Sequence, residues 1–375
     1  MSEEVRPGLE DVVAAETEIS VLDSEHEQIV VRGYDLIELA RSSTYADVAH
    51  LLLFDHLPSE EERASFARQL GDHAHLPEGV VDILRRLPSD TVAMDALRSG
   101  LSILAGFEDA EVLADHSREA NLAKAVRILA KSPTLAANAY RALHGQPFVQ
   151  PNAGLSFAAN FLQMIYGRPA DAQAIAVFDR VLICYAEHEL ANSTFAARIV
   201  ASTYTDIYGA IVAATAALKG PLHGGANEAA ARMFARIASL GGPAAAEPRL
   251  LERLAAKDRI MGFGHRVYMH RPDPRAELLK ADLDAIAARD PDAAAMVQTY
   301  EIVVAVMERE KGLHPNADLP IGLILSLLGV PIDLFTPIFL CARNAGLLAH
   351  VIEQHEHNHL YRPRVVYTGP RDLHP

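Results

Sequence analysis

From Ala46 onward, the apolar residues of this chain recur at the three- and four-residue spacing of helices and almost never at the two-residue spacing of strands. That restricts the chain to a mainly α fold, because a helix-period pattern laid out as a strand would put apolar side chains on both faces. Ala46 to Phe54 reads as an amphipathic helix. Ser59 to Leu70 opens with a serine followed by acids, as a helix N-terminus should, and Ser89 to Leu104 continues the pattern. Asn121 to Leu143 is a longer alanine-rich stripe containing Pro133, where a break or kink is expected. Leu155 to Tyr166 and Ala170 to Glu187 follow, then the polar notch HELANST, then further helix to about Ala217. Only the stretch from Gly8 through IVVRGYDLIELA, which ends at Ala40, mixes β-branched residues with polar ones, and it reads as short extended segments with Gly33 at a turn.

Glycine and proline divide this helical run. GPLHGG, from Gly220 to Gly225, is a hinge-like stretch that absorbs backbone rotation, and a second boundary is expected near Asp318 to Ile321. The chain is thus expected to form a discontinuous larger unit, residues 1–221 and 321–375, and a smaller unit, 222–320. The smaller unit would hold the helix after His223 and two more, Arg275 to Ala288 and Ala293 to Lys311. Gly322 to Leu328 and Leu334 to Glu356 then read as helical, before a Pro-rich tail from Tyr361.

Of the 375 residues, 49 are acidic and 34 are Lys or Arg, giving a net charge of −15. Nucleic acid or an anionic membrane would have to approach against that field, so neither is expected as a partner. No apolar run is expected to span a bilayer, since even LPIGLILSLLGVPIDLF is interrupted by Pro320, Pro331 and Asp333. The opening MSEEVRPGLED lacks the basic and apolar regions of a signal peptide, which predicts a cytoplasmic protein. Cys184 and Cys341 are too few for a disulfide framework and read as reduced, buried thiols.

In so acidic a chain a cationic cluster is informative. RIMGFGHRVYMHRPDPR, Arg259 to Arg275, places Gly262 and Gly264 before His265 and follows with Arg266, His270, Arg271 and Arg275, stiffened by Pro272 and Pro274. A rigid, glycine-led cationic loop suits a small anion. Three more polar clusters interrupt apolar helices: His188-Glu189, His223 in PLHGGANE, and Asp318 in HPNADLP. Imidazoles and a carboxylate near arginines suit acid–base chemistry on a carboxylated substrate. HEHNH, 355–359, reads as a polar helix end. Although the chain has 17 histidines, it lacks a compact His-Glu-x-x-His motif, and no metal is expected.

PLHGGANE, IMGFGHRVY followed by DPR, PNAD, the Arg343-x-x-Gly-x-x-Ala-His350 run and Arg362-Pro363 stand in the order and spacing of the citrate synthase family, which this chain resembles. RGYDLIELA and AEHELANSTFAAR extend the likeness over nearly the whole chain. MDALRSG, ADLPIG and FTPIF look most like the 2-methylcitrate synthases within it. The resemblance implies a citrate synthase-like multi-helical fold of a large and a small domain, and a homodimer whose site is shared across the interface. It implies that Asp318 takes a proton from the carbon beside the thioester of an acyl-CoA, with His223 donating to the thioester oxygen. His265 would donate to the ketone of oxaloacetate. His188, His265, Arg275, Arg343 and, from the neighbouring subunit, Arg362 would hold oxaloacetate. Arg259, Ile260, Gly262, Gly264, Arg266 and Arg271 would serve CoA, a co-substrate, and no tightly bound cofactor is expected.

The chain also departs from that pattern. Asn192 stands one position late relative to the usual Asn-Ala-Ser-Thr, tryptophan is absent, and Leu347 replaces the usual aromatic residue. The likeness leaves two alternatives: a synthase strongly preferring acetyl-CoA, or a non-catalytic ligand-binding member of the fold.

Overall fold

The computed structural model describes residues 5–9, 12–23, 25–265, 268 and 272–374. Of the stretch expected to be extended, Ser20–Asp23, Gln28–Val31 and Tyr34–Asp35 form a three-stranded antiparallel sheet with Ser20 opposite Val31. Its end is instead the helix Leu36–Ser42, which Asp35 starts by accepting from the N–H groups of Ile37 at 2.7 Å and Glu38 at 3.0 Å. Gly33 makes the expected turn with φ of 85°. Everything described after this sheet is helix and connection, which is the mainly α, multi-helical architecture expected.

Phe335–Glu356 is the axis of the molecule. Helices Tyr45–Phe54, Arg118–Leu143, Ala172–Ala186, Asn192–Ala201 and Ile207–Leu218 all pack on it. By length and composition the stretch Ile332–Glu356 could cross a bilayer, contrary to expectation, since it holds an 18-residue window with a mean hydropathy of 1.3, yet that window is wholly buried inside the protein. Pro331 and Asp333 do interrupt the run, but the apolar pattern resumes at Leu334 and carries Arg343, Asn344 and His350 into the interior.

Arg118–Leu143 runs through Pro133 as one helix, so the proline makes no break in it. Residues on every side of that turn are buried, and the packing outweighs a local cost of roughly 3 kcal/mol. The Ser132 hydroxyl meanwhile donates to the Ile128 carbonyl at 2.6 Å. Glu78–Arg86 and Pro243–Ala255 are helices that the sequence reading did not separate.

Helices Ala226–Ser239, Pro243–Ala255, Pro274–Ala287, Pro291–Lys311 and Asp318–Leu327 pack on one another. The boundary expected at 320/321 falls inside Asp318–Leu327, which lies against Ala226–Ser239 and Pro274–Ala287. Gly322 makes that contact possible, because a Cβ there would sit 2.6 Å from the Asn227 carbonyl oxygen.

Candidate active site

Two connections meet to build the site. The GFG turn runs alongside the segment before Asp318: Gly264 N–H donates to the His314 carbonyl at 2.9 Å, and Asn316 N–H donates to that of Gly262 at 3.0 Å. The Asn316 side chain also donates to the Gly264 carbonyl at 3.0 Å. Gly262 has φ of 92°, and a Cβ there would lie 2.9 Å from the Leu319 Cβ, so neither the conformation nor the space admits another residue. This pairing sets His265 and Asp318 on neighbouring strands of chain.

Asp273 ties the loop to the next helix. Its carboxylate caps Pro274–Ala287 by accepting from the Arg275 N–H at 3.0 Å, and accepts from the Ala317 N–H at 3.2 Å. It also takes both prongs of the Arg275 guanidinium, at 3.0 and 2.7 Å. Burial would raise the Asp273 carboxyl, but the Arg275 charge and its hydrogen bonds hold it below the usual carboxylate range. Arg275 thereby stays charged while only 5% exposed.

His188 follows the end of helix Ala172–Ala186. Beside it Glu189 takes φ of 54°, and Glu187 lies fully buried beneath. Glu187 Oε1 accepts from the Ser20 hydroxyl at 2.8 Å and pairs with His350 Nε2 at 3.2 Å, so the first strand helps to anchor the segment. Burial would raise the Glu187 carboxyl, yet His350 and the charge of Arg343 hold it down. Arg343 donates from Nε to the Tyr185 carbonyl at 2.5 Å and lies over the Phe339 ring at 4.9 Å. Burial lowers its pKa to about 10. Two buried nitrogens here, Nε2 of His188 and Nη1 of Arg343, have no hydrogen-bond partner among the described residues. Such orphans ask for a ligand or water to satisfy them.

The histidines are held neutral. Burial, then Arg275, Arg343 and His265, push His188 well below its ordinary value. Burial and the Arg343 charge lower His223 to about 4, and burial and Arg275 lower His265 to about 4. The His188 and His265 rings meet edge to face with centroids 5.0 Å apart.

His223 sits in the GPLHGG turn. Gly224 is required there, because a Cβ would lie 2.4 Å from the Leu218 carbonyl oxygen. The His223 Nε2 receives the Ser193 N–H at 3.4 Å and lies 2.8 Å from the Ser193 hydroxyl. A backbone N–H only donates, so Nε2 is an acceptor and the ring proton is on Nδ1, which leaves a neutral N–H donor.

Asp318 opens helix Asp318–Leu327 and accepts at Oδ1 from the Tyr185 hydroxyl at 2.8 Å. Burial raises its pKa, against the opposing pull of Tyr185, Arg275 and Arg343. A carboxylate raised toward neutrality, three neutral imidazoles and two buried guanidiniums that act on the same groups form a constellation for proton transfer on an anionic substrate.

Not every expected residue joins it. Arg362 is exposed on the tail and makes no hydrogen bond or ion pair with the described residues. Arg259 is exposed, and among the described residues only its carbonyl is engaged, by Arg253 at 3.2 Å. Ile260 is buried below the turn. Arg266, His270 and Arg271 lie outside the described residues. Asn192 is exposed at the start of its helix, while its neighbour Ser193 turns inward to His223.

Ser193, Asp273, Glu187, Tyr185 and Asn227 were not singled out from sequence. Asp273 carried a signal in its Asp-Pro helix start, and Ser193 stood in the displaced motif, but Tyr185 reads as an ordinary core aromatic. Among the described residues one His/Glu group, His50, His56 and Glu62, lies close enough to bracket an ion. His56 and Glu62 already pair at 2.9 Å there, and Glu62 caps its own helix. A cavity of about 230 Å³ lined by Arg63, Phe66, Leu70, Met164 and Asp179 shares no residue with the site.

The family described as "Citrate synthase, C-terminal domain" matches residues 8–364. The chain is 45% identical to the citrate synthase of Heyndrickxia coagulans, over 98% of this chain and 97% of that one. It is 46% identical to the citrate/2-methylcitrate synthase of Bacillus subtilis, over 97% and 96%. Its fold superposes with a TM-score of 0.92 and 30% identity on the citrate synthase of Thermoplasma acidophilum, solved as a ternary complex with carboxymethyl coenzyme A and oxaloacetate, over 100% of this chain and 98% of that one. Likeness of that degree along nearly the whole sequence establishes that the chain belongs to the citrate synthase family.

Proposed function

We propose that this protein condenses an acyl-CoA with oxaloacetate and hydrolyses the resulting thioester, releasing CoA and a tricarboxylate. The observation that carries the reading is the pair of orphaned nitrogens, His188 Nε2 and Arg343 Nη1, buried beside Arg275 and the Asp318 base. A dicarboxylate with a ketone satisfies these donors, and a third arginine, Arg362 of a second copy, completes them. Asp318 then takes a proton from the acyl carbon. A carboxylate is too weak a base for this unless the developing oxyanion is stabilised, which is the role of the Nδ1–H of His223. His265 donates to the ketone oxygen as the carbon–carbon bond forms. The turn from Ile260 to Gly264, with Arg259, Arg266 and Arg271, holds CoA.

The reading extends to motion and to substrate range. The smaller unit closes on the larger about Gly220–Gly225 after oxaloacetate binds, and it includes helix Asp318–Leu327, whose neighbours are the helices of that unit. Propionyl-CoA is used at least as well as acetyl-CoA, giving 2-methylcitrate beside citrate.

Replacing Asp318 with Asn tests the core of the proposal. Asn keeps the volume but cannot take the proton, so exchange of solvent deuterium into the acyl carbon disappears while oxaloacetate binding persists. Undiminished exchange would place the base elsewhere. Release of free CoA from oxaloacetate and acyl-CoA by the unaltered protein separates an enzyme from a ligand-binding relative.

A further inference from the structure

Tyr185 closes helix Ala172–Ala186 and is 2% exposed. Its hydroxyl donates to Asp318 Oδ1 at 2.8 Å and lies 3.1 Å from Asn227 Nδ2. The direction of this chain of bonds is determined from its far end. The Glu228 N–H donates to Asn227 Oδ1 at 2.6 Å, so the amide turns its NH₂ toward the tyrosine. An NH₂ only donates, so the phenol oxygen accepts there and its single proton goes to Asp318. The ring cannot swing away: it stacks on Phe339 at 4.1 Å, and its carbonyl is held by Arg343.

We propose that Tyr185, oriented by Asn227, is the positioning residue for the base: it occupies Oδ1 of Asp318, so that Oδ2 is the oxygen that takes the proton from carbon. The inference rests on the reading of Asp318 as the base. It joins three separate elements at one hydroxyl: the end of helix Ala172–Ala186, the first turn of Ala226–Ser239 and the start of Asp318–Leu327. A carboxylate on one rotatable bond, without such a partner, presents either oxygen and either face. The same donor stabilises the ionised form in a place where burial opposes it, with Arg275 and Arg343 helping and Asp273 opposing. Tyr185 itself stays protonated, since burial and the Asp318 charge push its pKa well above the ordinary value.

The test is Tyr185→Phe, which keeps the ring and removes the hydroxyl. We expect the rate of acyl-carbon deuterium exchange to fall about tenfold or more, from the loss of a hydrogen bond to a charged group. The acid limb of its pH profile should move up by about one unit. The KM for oxaloacetate should not change. Asn227→Ala, which leaves the phenol in place but frees its orientation, should shift the limb in the same direction by less, and it carries the test should Tyr185→Phe not fold. A folded Tyr185→Phe protein with an unmoved limb overturns the proposal, as does a uniform loss at every pH accompanied only by a lower Tm. Asp318→Asn in the same assay separates the two readings. If it retains exchange, the assignment of the base fails and this inference with it; if it abolishes exchange while Tyr185→Phe leaves the limb in place, only the role of Tyr185 fails.

Discussion

Ser193 meets one nitrogen of His223 twice, with its backbone N–H at 3.4 Å and its hydroxyl at 2.8 Å. The backbone contact settles the tautomer and the hydroxyl fixes the ring plane. Ser193→Ala therefore keeps the tautomer but loosens the ring. We expect kcat to fall about tenfold, the worth of one ordinary hydrogen bond, with little change in the KM for oxaloacetate. Steady-state kinetics with both substrates checks this, and an unaltered kcat would show that the hydroxyl does not hold the donor.

Asp273 and Arg275 form an ion pair with almost no access to water. Asp273→Asn leaves a guanidinium buried without its counter-charge, which costs about 3–5 kcal/mol of stability, and it also disturbs the start of helix Pro274–Ala287. Urea denaturation at pH 7 measures this; a loss below about 1 kcal/mol, the worth of an exposed pair, would contradict it.

Stability should fall as the pH is lowered from about 6.5 to about 4. His223, His265 and His355 have folded values near 4, each set first by burial, against an ordinary value of about 6.5 when unfolded. Between those limits the unfolded chain binds protons that the folded chain refuses, so the stability present above about 6.5 is progressively lost. Asp179, raised by burial to about 6, acts in the opposite sense and offsets part of the effect. Urea midpoints at pH 7 and pH 5 should differ, with the lower midpoint at pH 5. His355→Asn, whose amide oxygen can take the place of Nδ1 opposite Asn121, should narrow the difference.

The specificity constant for propionyl-CoA should be at least equal to that for acetyl-CoA, which should remain a substrate, because one methylene in an apolar pocket is worth only about 10–200-fold. Leu319 packs under Gly262, and Phe339 stacks on Tyr185 and meets the His223 ring edge-on at 6.0 Å. Acetyl-CoA favoured by more than about tenfold would contradict the dual use.

Mixing an inactive Arg362 variant with an inactive Asp318→Asn variant should restore activity through hybrid dimers, each carrying one intact site. The motive is the exposed position of Arg362 on its tail. No recovery after verified subunit exchange would mean that Arg362 serves no neighbouring site.

Most of the helices and the ionisable groups were legible because each is written locally: a period of about 3.6 residues, or a histidine among glycines. The role proposed for the tail residue Arg362 rests on resemblance alone. Tyr185 was not legible at all, since its partners lie 42 and 133 positions away and its own neighbourhood spells an apolar helix. Pro133 left two outcomes open for a related reason. A local rule allows a break there, and the burial around the helix, supplied by distant segments, keeps it continuous. The boundary near residue 320 fell inside a helix because Pro320 also suits a first turn, where its missing N–H costs nothing.

The helix Phe335–Glu356 lies late in the sequence, yet five earlier helices need it as their common partner. During synthesis those five leave the ribosome with their inward faces uncovered and must wait for it. The waiting chain is the form most exposed to chaperones and to self-association. A chain stopped before Phe335 should accumulate as insoluble protein, whereas one stopped after Glu356 should keep its axis and lose only the tail.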